Sequence, residues 1–228
     1  MKYGIIDFCS QKGQDEWIVN VFNYKTNGFF VDLAAQRAKI DNNTYVLEKD
    51  LNWNGICIEP NPKYRQELEK ERNCHLYHHV IDYKNDNTVS FRTDNGGCGG
   101  IVDEDTDNNY KIRGHQLKSA TIETKKTKTL EYVLDKYNAP STIDYLSLDI
   151  EGAETRIVRT FPFDKYKFLA ITVERPTIEL EEILKSNGYV FVMKSQKMKF
   201  DSFYVHESIP DFSKINKEKY EPTPKKDW

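Results

Sequence analysis

The sequence predicts an α/β fold: a mostly parallel central sheet with helices on both faces, closed by an antiparallel strand pair at the C-terminal end. Three observations carry this. Short β-branched apolar runs alternate with amphipathic stretches of helical spacing, the pattern of repeated strand–helix–strand units. Five of those runs end on an acid, at Asp32, Glu59, Asp82, Asp149 and Glu174. The 228 residues, 38% hydrophobic and 13% aromatic, are enough for one sizeable core rather than two, so residues 1–228 read as a single domain.

The elements follow in order. Residues 1–25 read as an N-terminal helical segment. The first apolar run, Phe29-Phe30-Val31, ends at Asp32, and residues 43–51 then show helical spacing behind good cap residues. The second run, residues 55–58, ends at Glu59. Asn61 caps the next helix, with Pro62 in its first position and Tyr64 and Leu68 on one face. The third run, Leu76 to Ile81, ends at Asp82. Residues 89–92 suit a short strand, and Gly96-Gly97-Cys98-Gly99-Gly100 must be a loop. The stretch from Asp103 to Lys118 is polar and predicts mobility. Residues 94–128 as a whole read as the variable region that shapes a substrate pocket, a lid or a plain surface loop. Residues 129–134 read as a helix. The fourth run, residues 145–148, ends at Asp149, with Gly152 and a helix beyond it. The fifth, residues 168–173, ends at Glu174. Thr177 caps a helix carrying Leu180, Ile183 and Leu184, stopped by Asn187-Gly188. Residues 189–193 and 203–205 predict the closing antiparallel pair, and 208–228 a polar, Lys-rich tail.

Composition excludes several classes. With 33 basic and 36 acidic residues the chain is not built to grip a phosphate backbone, so no nucleic-acid partner is expected. No stretch approaches the roughly 18 apolar residues of a membrane span, and the N-terminus has no secretion-signal run, so no membrane partner is expected either. Cys9, Cys57, Cys74 and Cys98 are scattered, form no Cys-x-x-Cys pair, and read as thiols of a cytoplasmic protein.

Open parallel sheets bind ligands beyond the carboxyl ends of their strands, where the five acids stand. The plainer alternative is that acids punctuate strands as solvated turn residues, most of all at Asp82. As ligand groups, they suit hydroxyls and cations. An acid after the second strand can accept hydrogen bonds from the two vicinal hydroxyls of a ribose, whereas a pyrophosphate would be repelled. The first strand is followed by Leu33-Ala34-Ala35-Gln36, with no Gly-x-Gly-x-x-Gly, and the chain has no P-loop. An adenosine bearing a positively charged amino-acid group fits best, and S-adenosylmethionine is that molecule.

Longer blocks agree. Ser10-Gln11-Lys12-Gly13-Gln14-Asp15, Gly28-Phe29-Phe30-Val31-Asp32, Asn43-Thr44, the run from Trp53 to Pro62, Thr129-Leu130, the run from Ile143 to Glu154 and Val173-Glu174 resemble the FkbM-type methyltransferases, over residues 8 to 206 or so. These are S-adenosylmethionine-dependent O-methyltransferases acting on sugars or polyketide-like alcohols. The resemblance implies a Rossmann-like methyltransferase fold. It places Glu59 at the ribose hydroxyls, Asp32 beside the methionine or ribose portion, and Asp82 near the adenine. Gln11 and Gln14 are candidates for the methionine end, or alternatively for a capping network of the first helix. Ala34 and Ala35 stand where the family has a glycine, putting Ala34 against the cofactor; Ser147 stands where the family often has lysine.

Methyl transfer to an alcohol requires alignment and removal of a proton. Asp149 is the candidate base, or else the group that binds the cofactor's amine. Glu174 is the alternative base. Glu151 and Glu154 touch substrate or orient the following helix. Asp149 with Glu174 also suits Mg²⁺, a reading that ligand type alone does not favour. His75, His78 and His79 suit packing better than a metal, and His115 is within reach as a base. The expected function is O-methylation of a small molecule or glycan, a sugar foremost. The alternatives are methylation of an RNA cap ribose and a non-catalytic domain on the same fold.

Overall fold

The computed structural model describes residues 6–94, 96–194 and 200–215. In chain order the elements are α1 (Gln14–Val21), β1 (Phe29–Leu33), α2 (Tyr45–Leu51), β2 (Asn54–Ile58), α3 (Pro62–Glu71), β3 (His75–Tyr77), β4 (Val80–Ile81), β5 (Thr88–Arg92) and β6 (Gly100–Ile101). They continue as α4 (Tyr110–Leu117), β7 (Ile122–Lys128), α5 (Leu130–Lys136), β8 (Thr142–Leu148), α6 (Glu154–Thr160), β9 (Lys167–Glu174), α7 (Ile178–Ser186), β10 (Tyr189–Lys194) and β11 (Asp201–His206).

Seven strands form the central sheet in the order β10-β11-β9-β8-β1-β2-β3. Neighbours from β9 to β3 run parallel, while β11 is antiparallel to both β9 and β10, as the sequence predicts. Alternation along the strands feeds two cores. Phe30, Cys57, Tyr145 and Ala170 point to the face covered by α1, α2 and α3. Val31, Ile56, Leu146 and Ile171 point to the face covered by α5, α6 and α7. The chain builds outward from β1 to β3, then returns to lay β8 against the other side of β1. The order reverses between β1 and β8, and at such a switch point the loops part to leave a crevice.

The caps predicted at Asn61 and Thr177 form, whereas Thr44 before α2 makes no side-chain cap and its hydroxyl donates to Asp32 instead. Asn61 Oδ1 accepts from the Lys63 amide at 3.1 Å, and Thr177 Oγ1 from the Leu180 amide at 3.1 Å. At Gly28, just before β1, a Cβ would lie 2.5 Å from the Trp53 ring, so only glycine lets that indole close the sheet's lower end.

Three features depart from the sequence reading. The run Leu76 to Ile81 is two strands. Its second piece, β4, leaves the central sheet and joins a small four-stranded sheet, β4-β7-β5-β6. That sheet was not predicted, because β7 reads Ile-Glu-Thr-Lys-Lys-Thr-Lys and lacks an apolar face. The polar stretch 103–118 contains helix α4, capped by Asn109, whose Oδ1 accepts from the amides of Lys111 and Ile112, both at 2.8 Å. The predicted tail lies outside the described residues from 216 onward. Among the described residues no helix is long and apolar enough to cross a membrane.

Candidate active site

The crevice at the switch point is a cavity of about 350 Å³. Of the residues singled out in the sequence, it brings together Gln11, Asp32, Ala34, Glu59, Asp149, Glu151 and Glu174. Gln14 and Asp82 are not among its lining residues.

Glu59 follows β2 directly and is buried. Its Oε1 accepts from the Asn61 amide at 2.7 Å and its Oε2 from the Gln36 amide at 2.8 Å, which fixes the plane of the carboxylate. Burial pushes the carboxyl up to about 7 despite these two donors. Asp32 is the fourth residue of β1 and equally enclosed. Its Oδ2 accepts from Thr44 Oγ1 at 2.8 Å and Asn42 Nδ2 at 3.4 Å. Behind these stands Arg72, donating to Thr44 Oγ1 (3.0 Å), Asn42 Oδ1 (3.0 Å) and Glu48 Oε2 (2.8 Å). Burial raises Glu48 in isolation, yet the Arg72 guanidinium outweighs it and holds Glu48 at about 2. A buried arginine at the end of α3 thus rigidifies the loop that positions Asp32.

Ala34 has φ +69°, in the left-handed region that favours glycine. The alanine keeps the turn a glycine would make, and its amide donates to the Ile58 carbonyl at 2.9 Å. The roof comes from the glycine loop predicted at 96–100, whose close packing is real: a Cβ on Gly99 would lie 2.8 Å from the Arg92 carbonyl oxygen.

At the far side, oxygens of Asp149, Glu151 and Glu174 all lie within 4.8 Å of one another. Burial, then the charges of Glu174, Glu151 and Glu154, push the Asp149 carboxyl well above the usual carboxylate range. Glu151, at φ +59°, is pinned by Arg113 Nη2 (2.7 Å) and Arg175 Nη2 (3.2 Å). Arg175 also meets Glu174 at 2.6 Å and Asp107 at 2.7 Å. Glu154 lies beneath, its Oε1 accepting from the amides of Ile150 (2.8 Å) and Gly152 (3.3 Å), so it shapes the turn that presents Asp149.

The cavity fits a nucleoside with a cationic side group. A fixed carboxylate offers its remaining lone pairs to a diol at β2, and the crowded acids at β8 and β9 are relieved by positive charge. It fits a metal ion less well, since Arg113 and Arg175 already engage Glu151 and Glu174.

The remaining expectations fall elsewhere. Asp82 follows β4, not a central strand, and its Oδ1 meets Arg156 Nε at 3.2 Å. The split of the apolar run turned it away, so the expected adenine contact is not supported, although Val80 and Ile81 do line the cavity. Gln14 joins the local network of the α1 start: its Oε1 accepts from the Lys12 amide at 2.9 Å and its Nε2 donates to Asp201 Oδ2 at 2.8 Å. His75 stacks on Tyr137 and His79 packs on Tyr77. His115 is exposed on α4, and it is Arg113 of that helix that reaches the cavity. Sequence reading missed Lys12, Asn43, Arg113 and Arg175 as lining residues. Lys12 and Arg175 have a local signal as neighbours of Gln11 and Glu174, and Asn43 stands in one of the blocks that resemble the family; Arg113 has none.

Comparison with known proteins bears on this geometry. The methyltransferase FkbM domain matches residues 26–191. No curated protein matches. Among solved structures, a precorrin-6y C5,15-methyltransferase from Geobacter metallireducens GS-15 aligns over 89% of this chain and 96% of its own, at 15% identity and a TM-score of 0.41. The family match spans both halves of the cavity, from β1 through β9, and on it the chain belongs to the FkbM methyltransferase family, which implies S-adenosylmethionine as the methyl donor.

Proposed function

We propose that the protein transfers a methyl group from S-adenosylmethionine to a hydroxyl of a small molecule or glycan, most of all a sugar. The observation that carries this is the cluster of Asp149, Glu151 and Glu174, whose carboxylate oxygens lie within 4.8 Å of one another in the same cavity as the carboxylate of Glu59. When bound, S-adenosylmethionine supplies a methyl group on a positively charged sulfur, already activated for attack.

The residues then divide the work. Glu59 accepts from the ribose hydroxyls, its plane set by the amides of Asn61 and Gln36. Asp32 and Gln11 face the amino-acid end. Positive charge beside Asp149 would favour its ionised form, against the burial and neighbouring charges that raise its proton affinity. Asp149 would take the proton of the acceptor hydroxyl as that oxygen bonds to the methyl carbon and the carbon–sulfur bond of the donor breaks, its electron pair returning to sulfur to leave S-adenosylhomocysteine. The proton affinity of Asp149 is raised by burial and by Glu174, Glu151 and Glu154, the direction that suits a proton acceptor. Glu151, held by Arg113 and Arg175, is a positioning residue. The glycine loop 96–100 covers the cavity and limits water. The four cysteines, scattered without a pairing pattern, support a cytoplasmic location for this activity.

Ala34 favours the catalytic reading over a decayed domain, because its positive φ preserves the turn against the cofactor. The near balance of charge favours a glycan over RNA. The test is methyl transfer from labelled S-adenosylmethionine to a panel of monosaccharides, oligosaccharides and capped oligonucleotides. Label on a sugar hydroxyl is expected; label on the cap ribose alone overturns the sugar assignment.

A further inference from the structure

One cation lining the cavity makes no ion pair among the described residues. Lys12 lines it beside Gln11, on the side of Glu174 and Phe200, and is only 8% exposed. The ammonium makes no hydrogen bond or ion pair among the described residues. The two other cations lining the cavity, Arg113 and Arg175, are each engaged by carboxylates.

The position is built rather than accidental. The Lys12 amide donates to Gln14 Oε1 at 2.9 Å. Asp15, fully buried, gathers the preceding turn by accepting from the amides of Cys9 (2.6 Å) and Ser10 (2.9 Å) and from the Ser10 hydroxyl. The turn is therefore held at both ends. The acid that feels Lys12 most evidently is Asp201, but its Oδ2 is occupied by Gln14 Nε2 at 2.8 Å. Burial, and then Glu174, raise Asp201 to about 6, and the Lys12 charge offsets only part of that. An enclosed ammonium that makes no ion pair among the described residues is costly, and in a ligand cavity it suits an anion supplied by the ligand.

We propose that Lys12 is an anion-binding residue of this site and takes a carboxylate. This rests on the reading of the cavity as a nucleoside site. The carboxylate has two possible sources of the same chemistry: the amino-acid end of the cofactor, or an acidic sugar acceptor of the uronate class. The turn that carries Lys12 is bridged to the β1 side through Ser10 and Asp41, and to β11 through Gln14 and Asp201.

Calorimetry separates the sources. S-adenosylhomocysteine carries the carboxylate, and 5′-methylthioadenosine lacks the amino-acid end. For the cofactor source, Lys12→Met weakens S-adenosylhomocysteine at least tenfold, Lys12→Arg restores most of the loss, and 5′-methylthioadenosine binds all three proteins alike. That last binding also shows that the variants are folded. For the acceptor source, both nucleosides bind unchanged, while glucuronate binding to the S-adenosylhomocysteine complex falls at least tenfold in Lys12→Met and glucose binding does not. If Lys12→Met matches wild type for S-adenosylhomocysteine and for glucuronate, the proposal is overturned while the nucleoside site stands. If neither nucleoside binds wild type, the site reading itself falls and takes the proposal with it.

Discussion

The two ends of the cavity hold their acids in opposite ways. At the β1–β2 end, Glu59 and Asp32 are each surrounded by donors: backbone amides for one, Thr44 and Asn42 for the other. At the β8–β9 end, Asp149 and Glu174 are pressed against each other and against Glu151. Donors fix a carboxylate as a rigid acceptor, which is what recognition of hydroxyls requires. Burial raises the proton affinity of the acids at both ends, and at the second end the charges of neighbouring carboxylates add to it, which suits proton transfer. The contrast assigns binding to the first end and chemistry to the second.

The largest expected effect breaks the second end. Asp149→Asn is expected to lower the rate of methyl transfer by about 10²- to 10⁴-fold, the usual worth of a general base, while S-adenosylhomocysteine binds within a few-fold of wild type. Single-turnover rates read this directly. A variant that keeps its rate moves the base to Glu174 or elsewhere.

A second test sharpens the contrast through pH. Glu154 supports the turn bearing Asp149, and burial raises it from 4.5 to about 7. A carboxyl whose folded pKa lies above its unfolded one adds stability at low pH and loses it as pH rises through the folded value. The ligand-free protein should therefore lose stability between about pH 4.5 and 7, with Glu154 contributing on the order of 3 kcal/mol. Glu59 acts in the same direction. Urea unfolding at pH 5 and pH 8 measures the slope. Glu154→Gln, which keeps the acceptor oxygen, should flatten it; an unchanged slope removes Glu154 from the account.

The smallest effect concerns the first end. Ala34→Gly should relieve the φ of +69° and stabilise by less than about 1 kcal/mol, part of the relief being offset by the freer unfolded chain. Nucleoside affinity should hold or improve slightly. A fall in stability would mean that Ala34 is packed rather than strained.

This contrast was only partly legible in the sequence. The strands that carry Asp32, Glu59, Asp149 and Glu174 are buried on both faces and announce themselves as apolar runs ending on an acid. The caps at Asn61 and Thr177 are local chemistry and were equally readable. Asp82 misled because His78 and His79 interrupt a run that looks continuous, and only tertiary pairing with β7 shows that Val80 and Ile81 belong to another sheet. Strand β7 itself is edged with lysine and threonine, so its pairing with β5, not its composition, makes it a strand. Lys12, Arg113 and Arg175 reach the cavity from three separate segments, and no spacing rule joins them. The quality that separates the two ends, donors at one and crowding at the other, is a property of contacts between distant residues. The sequence displays five acids without distinguishing their surroundings.

The most direct test of the central claim is calorimetry of S-adenosylhomocysteine with wild type, Glu59→Gln and Asp82→Asn. One site per chain is expected in wild type, at least a tenfold loss in Glu59→Gln, and no change in Asp82→Asn, whose position lies with Arg156 outside the cavity lining. No binding to wild type, or equal binding by Glu59→Gln, would contradict the account.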